Sequence, residues 1–280
     1  MKGTRRTIRP VRPSRAWIVA AAMALAALLT TGPGPASAID TIDTIDTPTD
    51  QLPALEPLQH KLAENDLVRE PDTGITWLRF TGAPANLGSG ALHVTGRRTR
   101  EEAAAATPGN NVIPAYQRIS RSDGSSYEVP VGLMTYHDAH KHFHMEGISR
   151  YRLINSGGQV VRESPKVAFC LVDLEIADST LPGFPVNPVY NSCSHNAQAT
   201  SLTMGISVGW ADVYAKELEG QSFDVSELMN LPAQQYTLEM TTNPLGLLHE
   251  THRSSPRTTS VTVTIGQGVP VGVGGPRPGV

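Results

Sequence analysis

The sequence predicts an all-β protein: a β-sandwich-like domain with long loops and few short helices. Five segments carry this reading: "GITWLRFTG" (Gly74–Gly82), "YEVPVGLMTY" (Tyr127–Tyr136), "KVAFCLVDLEI" (Lys166–Ile176), "QYTLEMTT" (Gln235–Thr242) and "TTSVTVTI" (Thr258–Ile265). Each alternates apolar and polar residues or runs β-branched, the pattern of a strand with one buried face. Gly, Pro, Asn and Ser punctuate the stretches between them. No long stretch keeps a 3.6-residue apolar period, so helices are expected to be few. "FDVSELMN" (Phe223–Asn230), with Asp224 as N-cap, is the best helical segment.

The chain begins with an export signature. Lys2, Arg5, Arg6, Arg9, Arg12 and Arg15 precede the apolar run Ala16–Leu29, and Ala36-Ser37-Ala38 has the small-x-small form of a signal-peptidase site. The run is short for a membrane span. Met1–Ala38 is therefore expected to be a signal peptide cleaved after Ala38, giving a secreted, extracellular protein with no membrane attachment. Ile39–Glu70 opens on "IDTIDTIDTPTD", which reads as an acidic flexible spacer. Within it, Leu52–Val68 is a weak helical segment interrupted by Pro53 and Pro57. The main folded domain is expected over residues 71–265. Gly266–Val280, "GQGVPVGVGGPRPGV", reads as a disordered Gly/Pro-rich tail.

Six of the 23 basic residues lie before Ala38, and none of the 26 acidic ones do. The remainder is about nine units negative, a poor match to phosphate backbones, so nucleic acid is excluded as a partner. The same charge favours encounter with cationic partners such as lysine-rich peptides. Cys170 and Cys193 are the only cysteines. In an oxidising compartment they are expected to pair, closing a loop of 24 residues and stabilising the fold by roughly 3 kcal/mol.

The densest chemistry lies in "YHDAHKHFHMEG" (Tyr136–Gly147), which holds four of the nine histidines. On an extended strand His140, His142 and His144 share a face, while Lys141 and Phe143 turn away. The outer two Cα atoms then lie roughly 13 Å apart, so a twisted or bulged strand is needed before imidazoles at about 2 Å can meet one ion. Three neutral imidazoles suit Zn, Cu, Fe or Ni. The competing reading is a polar strand face exposed to solvent. His137 reads as a loop residue beside the group. Glu146 keeps the same alternation and would supply the carboxylate of a non-haem iron site.

The histidine segment, "KVAFCLVD" (Lys166–Asp173) and "GISVGWADVY" (Gly205–Tyr214) occur in the order and at the spacing of the lysyl oxidase catalytic domain, which this sequence resembles. "WLRFTGAPANLGSG" (Trp77–Gly90) and "YTLEMTTNP" (Tyr236–Pro244) are similar to that family's flanking strands. The resemblance implies that His140, His142 and His144 are copper ligands. It also implies that Lys166 and Tyr214 build a self-derived lysine tyrosylquinone. Asp212, two residues before Tyr214, becomes the candidate general base, and His195 a neighbour of the site. The implied activity is a secreted copper amine oxidase of the protein-lysine 6-oxidase type. It would convert primary amines, free or in lysine-containing peptides and proteins, to aldehydes with O₂, releasing peroxide and ammonia. Tyr136, Ala139 and "HRSSPRTT" (His252–Thr259) depart from the animal pattern, which bears on substrate choice and loop geometry. The alternative is a non-catalytic copper- or zinc-binding β-sandwich, for which Lys166 and Tyr214 are incidental.

Overall fold

The computed structural model describes residues 49–164, 168–251 and 257–274. The fold is all-β, with strands in several sheets joined by long loops, as the sequence predicts. The largest sheet has six strands. Ser201–Ile206, Leu92–Arg97, Val112–Arg121, Ser126–His137 and His142–Met145 lie in that order, and the short Asp50–Gln51 strand also pairs with Val112–Arg121. A second sheet runs Val160–Glu163, Ser149–Asn155, Gln234–Thr242, Thr258–Ile265. Two smaller sheets are built around Thr76–Phe80 and around the Pro84–Asn86 and Trp210–Ala211 strands. Leu78, Phe80, Met134, Phe143, Met145, Tyr151, Leu238 and Ile265 belong to one buried apolar cluster. Alternation along Gln234–Thr242 buries Tyr236, Leu238 and Met240 on one face, the period-2 pattern that identified the strand.

Helices are few and short. Arg100–Ala105 is opened by a reciprocal cap: Glu102 N–H donates to Thr99 Oγ1 at 3.1 Å, and Thr99 N–H donates to Glu102 Oε2 at 2.7 Å. This pairing satisfies two amides that have no intrahelical partner. Among the described residues no helix is long and apolar enough to cross a membrane.

Four local expectations are corrected. Lys166–Ile176 is not a continuous strand: among its described residues only Glu175–Ile176 pairs in a sheet, and Phe169 makes an isolated bridge to Met145. Its apolar residues turn inward for another reason. Asp173 buries its carboxylate, accepting from Ser207 N and Oγ at 2.7 Å each and from the Val189 and Tyr190 amides at 2.9 and 3.1 Å. That knot anchors the loop 174–190. Phe223–Asn230 is not a helix either, but a strand, Ser222–Asp224, followed by the 3₁₀ turn Leu228–Asn230. Asp224 caps a local turn, accepting from Ser226 N at 2.9 Å. Leu52–Val68 divides into Leu55–Pro57, a four-residue helix Gln59–Leu62 and the start of the strand Asn65–Arg69, so sheet pairing reaches into the expected spacer. At the other end, Gly272–Val273 pairs in parallel with Val68–Arg69, so the Gly/Pro-rich segment contributes a strand. Parallel addition to an exposed edge needs only backbone groups, which is why composition gave no sign of it.

Candidate metal centre and its tyrosine

The histidine segment is a hairpin. His137 pairs with His142, Tyr136 with Phe143 and Thr135 with His144, so His142 and His144 project from one face of the returning strand while Phe143 enters the core. His140 does not extend that strand. It sits in the connecting turn, where His140 N and Lys141 N donate to His137 O at 3.1 and 2.7 Å. Lys141 takes φ +59°, the left-handed region that folds His140 back over His142 and His144. The expected extended triplet is thus replaced by a turn plus two strand positions. The physical reason is the hairpin turn: the His137 carbonyl takes both following amides and Lys141 adopts the left-handed region, so His140 cannot continue the strand.

The consequence is convergence. His144 Nε2 lies 2.9 Å from His142 Nε2 and 3.3 Å from His140 Nδ1, and all three rings are buried. Ligand atoms of the three lie within 4.8 Å of one another. Imidazole nitrogens at about 2 Å from a shared ion stand roughly 3 Å apart at tetrahedral or square angles, so this spacing fits a metal. Glu146 is not part of the group found among the described residues. The other two imidazoles of the region flank it. His137 stacks on His144 with ring centroids 5.2 Å apart, and His195 stands edge-on to His142 at 5.5 Å. His195 Nδ1 meets Lys141 O at 3.0 Å, holding the carbonyl of the left-handed residue.

Met145, next to His144, exchanges backbone hydrogen bonds with Phe169 at 2.7 and 3.0 Å. This bridge brings Cys170 to the centre, where it forms the expected disulfide with Cys193. Tyr214 comes from another part of the chain. Its backbone pairs with Gly82 at 2.8 and 2.9 Å, and its ring packs 4.3 Å from that of Phe169. Its hydroxyl is 2.7 Å from Cys170 O and 2.5 Å from Asp212 Oδ2. Burial, foremost, and the adjoining Asp212 carboxylate push the Tyr214 pKa well above the usual phenol range. The three histidines, the disulfide, Asp212 and Tyr214 line one cavity of about 170 Å³, with Val172, Leu174, Val213 and Leu218 completing its wall.

The structure therefore brings His140, His142, His144, Asp212 and Tyr214 to a single cavity, with His195 against the histidines. Lys166 lies outside the described residues, as do Met1–Ala38, the proposed cleavage point and the last six residues. No motif marked Gly82 as the backbone partner of Tyr214. Only the glycine in "FTG" marked a place where backbone approaches something closely.

The domain is all-β and carries a buried trihistidine group that could hold a metal ion, beside a hydrogen-bonded tyrosine–aspartate pair. Residues 121–262 match the family model described as lysyl oxidase. That match spans half of the sequence, and the chain belongs to the lysyl oxidase family. It is 32% identical over 110 residues to lysyl oxidase homolog 2 of Gallus gallus, covering 39% of this chain and 12% of the relative. Against lysyl oxidase homolog 2 of Homo sapiens it is 29% identical over the same length and shares. Against protein-lysine 6-oxidase of Rattus norvegicus it is 28% identical over 126 residues, 43% of this chain and 26% of the relative. The chain thus matches only a minor part of the length of these relatives.

Proposed function

We propose that this protein is a secreted, copper-dependent amine oxidase that converts primary amines, free or as peptidyl lysine, to aldehydes. The overall reaction consumes the amine, O₂ and water, and yields the aldehyde, ammonia and hydrogen peroxide. The observation that carries the reading is the pair of 2.9 and 3.3 Å nitrogen contacts in the same small cavity as the Tyr214 hydroxyl.

Copper held by His140, His142 and His144, with a quinone formed from the Lys166 amine and the Tyr214 ring, supplies the two-electron sink that a protein side chain lacks. The chain's own residues prepare for this in distinct ways. The left-handed turn at Lys141 preorganises the ligand set, so binding the ion does not require ordering a loop. Asp212, at 2.5 Å, is placed to accept the Tyr214 proton when the phenol ionises, and later the α-proton of a bound amine. Val172, Leu174, Val213 and Leu218 give the cavity an apolar wall that suits the alkyl part of an amine. Export follows from the signal at Met1–Ala38, and an oxidising compartment agrees with the Cys170–Cys193 bond.

The test is peroxide release from a panel of primary amines by copper-loaded protein, with peptide mapping for a covalent Lys166–Tyr214 link. Peroxide and the link together support the oxidase; unmodified Lys166 and Tyr214 in active-metal preparations oppose it. One observation favours a second reading, a non-catalytic metal-binding protein. The Tyr214 hydroxyl is held by two inward hydrogen bonds, as a purely structural tyrosine would be. Stoichiometric copper binding without peroxide would select that reading.

A further inference from the structure

Behind Tyr214, on the core side of Gly82, lies a second set of polar groups that the proposed chemistry does not use. Gly82 exchanges backbone hydrogen bonds with Tyr214, and a Cβ built on it would stand 1.8 Å from the hydroxyl oxygen of Tyr151. Tyr151 therefore rests its hydroxyl against Gly82, the backbone partner of Tyr214. Its ring packs 4.9 Å from Phe80, and it is wholly buried. Ser149 and Gln221 are also wholly buried, and their side chains come close enough to the Tyr151 hydroxyl to favour its ionised form, although no contact among the three has hydrogen-bond geometry. Among the described residues Tyr151 Oη, Ser149 Oγ and both polar atoms of the Gln221 amide have no direct hydrogen-bond partner.

Four enclosed polar atoms around one spot are costly, each by about 1–3 kcal/mol when left unmade. A water molecule offers two donors and two acceptors. Two hydroxyls, one carbonyl oxygen and one NH₂ match that set, and buried waters typically make about three such bonds. The spot also adjoins the tyrosine–aspartate pair. Asp212 and Tyr151 influence one another electrostatically, as do Tyr151 and Tyr214, and Asp212 Oδ1, the oxygen that does not face Tyr214, is itself enclosed.

We propose that Ser149, Tyr151 and Gln221 hold an ordered internal water, and that through it Tyr151 is a positioning residue for the Asp212–Tyr214 pair. Gly82 is the fourth component, because any side chain there drives the Tyr151 hydroxyl away. The water site stands by itself, whereas the consequence for cofactor formation rests on the oxidase reading.

The experiment is a high-resolution crystal structure of the metal-free protein and of its Tyr151→Phe variant, with the rate of quinone formation after copper addition measured across pH for both. The proposal expects water density within hydrogen-bonding distance of Tyr151 Oη, Ser149 Oγ and the Gln221 amide. In Tyr151→Phe it expects a displaced Asp212 carboxylate, unchanged copper affinity, and quinone formation slowed by at least about ten-fold with a shifted pH profile. Dry density, or direct bonds among the three side chains, overturns the water site. An unmoved Asp212 in Tyr151→Phe overturns the positioning role, and so does a wild-type rate and pH profile. If the wild-type protein makes no quinone, the oxidase reading fails, and the density and the Asp212 position still decide the proposal.

Discussion

The Tyr214 hydroxyl lies between two acceptors, Asp212 Oδ2 at 2.5 Å and Cys170 O at 2.7 Å. A phenol has one proton to give, so it cannot fully serve both oxygens unless Asp212 itself carries a proton. The shorter contact, to Asp212, marks that carboxylate as the acceptor best placed for the phenolic proton. Asp212→Asn leaves a neutral amide that cannot accept the phenolic proton as a base. The expected outcome is a folded protein with unchanged copper stoichiometry and quinone formation slowed by about 10²–10⁴-fold, read from the growth of quinone absorbance.

The histidine group makes a different prediction. Removing one imidazole deletes a proposed ligand and opens a hole at a site where all three histidines are buried. His142→Ala is expected to weaken copper binding by more than about 100-fold, beyond what changes to residues supporting a ligand usually cost. His137→Ala, which removes only the ring stacked on His144, should fall within about 10–100-fold. Competition with a chelator of known affinity measures both.

Lys141 tests the turn. Its φ of +59° is tolerated by an unbranched side chain but crowds a β-branched one. Lys141→Val should lower stability by about 1–2 kcal/mol and weaken copper binding, while Lys141→Gly keeps the turn. Chemical denaturation of the metal-free variants, followed by copper titration, separates the two effects.

The Cys170–Cys193 bond closes a long loop and also positions the carbonyl that faces Tyr214. Replacing both cysteines by serine is expected to cost about 2–4 kcal/mol in denaturant melts. Because Met145 and Phe169 still exchange their two backbone hydrogen bonds, some copper affinity should survive that loss.

Alkaline titration provides a fifth test. Burial raises the pKa of Tyr151 and of Tyr214 well above the ordinary phenol value, and that of Tyr190 to about 12. These raised values mean that the unfolded chain releases phenolic protons first. The stability they represent is whole below about pH 10 and declines as pH rises from there through the folded values. In the metal-free protein, phenolate absorbance from these three should appear above pH 10 and together with unfolding. Tyr151→Phe should flatten the decline.

Much of the architecture was legible because it depends on near neighbours. Thr99 and Glu102 stand three apart before an alanine run, a reciprocal cap that could have been read directly, though the helix was not anticipated. Gln234–Thr242 and Thr258–Ile265 announced themselves by alternation, since their partners ask only for one apolar face. Lys166–Ile176 misled for the opposite reason. Its apolar residues answer to the Asp173 knot, the disulfide and the cavity wall, none of which has a period. Phe223–Asn230 misled because an aspartate that closes a two-residue turn looks the same in sequence as one that caps a helix.

By itself the sequence determined the candidate side chains of the site: three imidazoles at alternate positions, two cysteines, and an aspartate two residues before a tyrosine. Residue type and short spacing are local properties, and they persist whatever the chain does elsewhere. Only the tertiary structure decided that His140 leaves the strand, that Tyr214 reaches the carbonyl of Cys170, and that Tyr151 fills the space Gly82 leaves open. The first follows from the backbone of a tight turn; the other two join segments tens of residues apart and are fixed by burial and backbone pairing across the core rather than by any pattern along the chain.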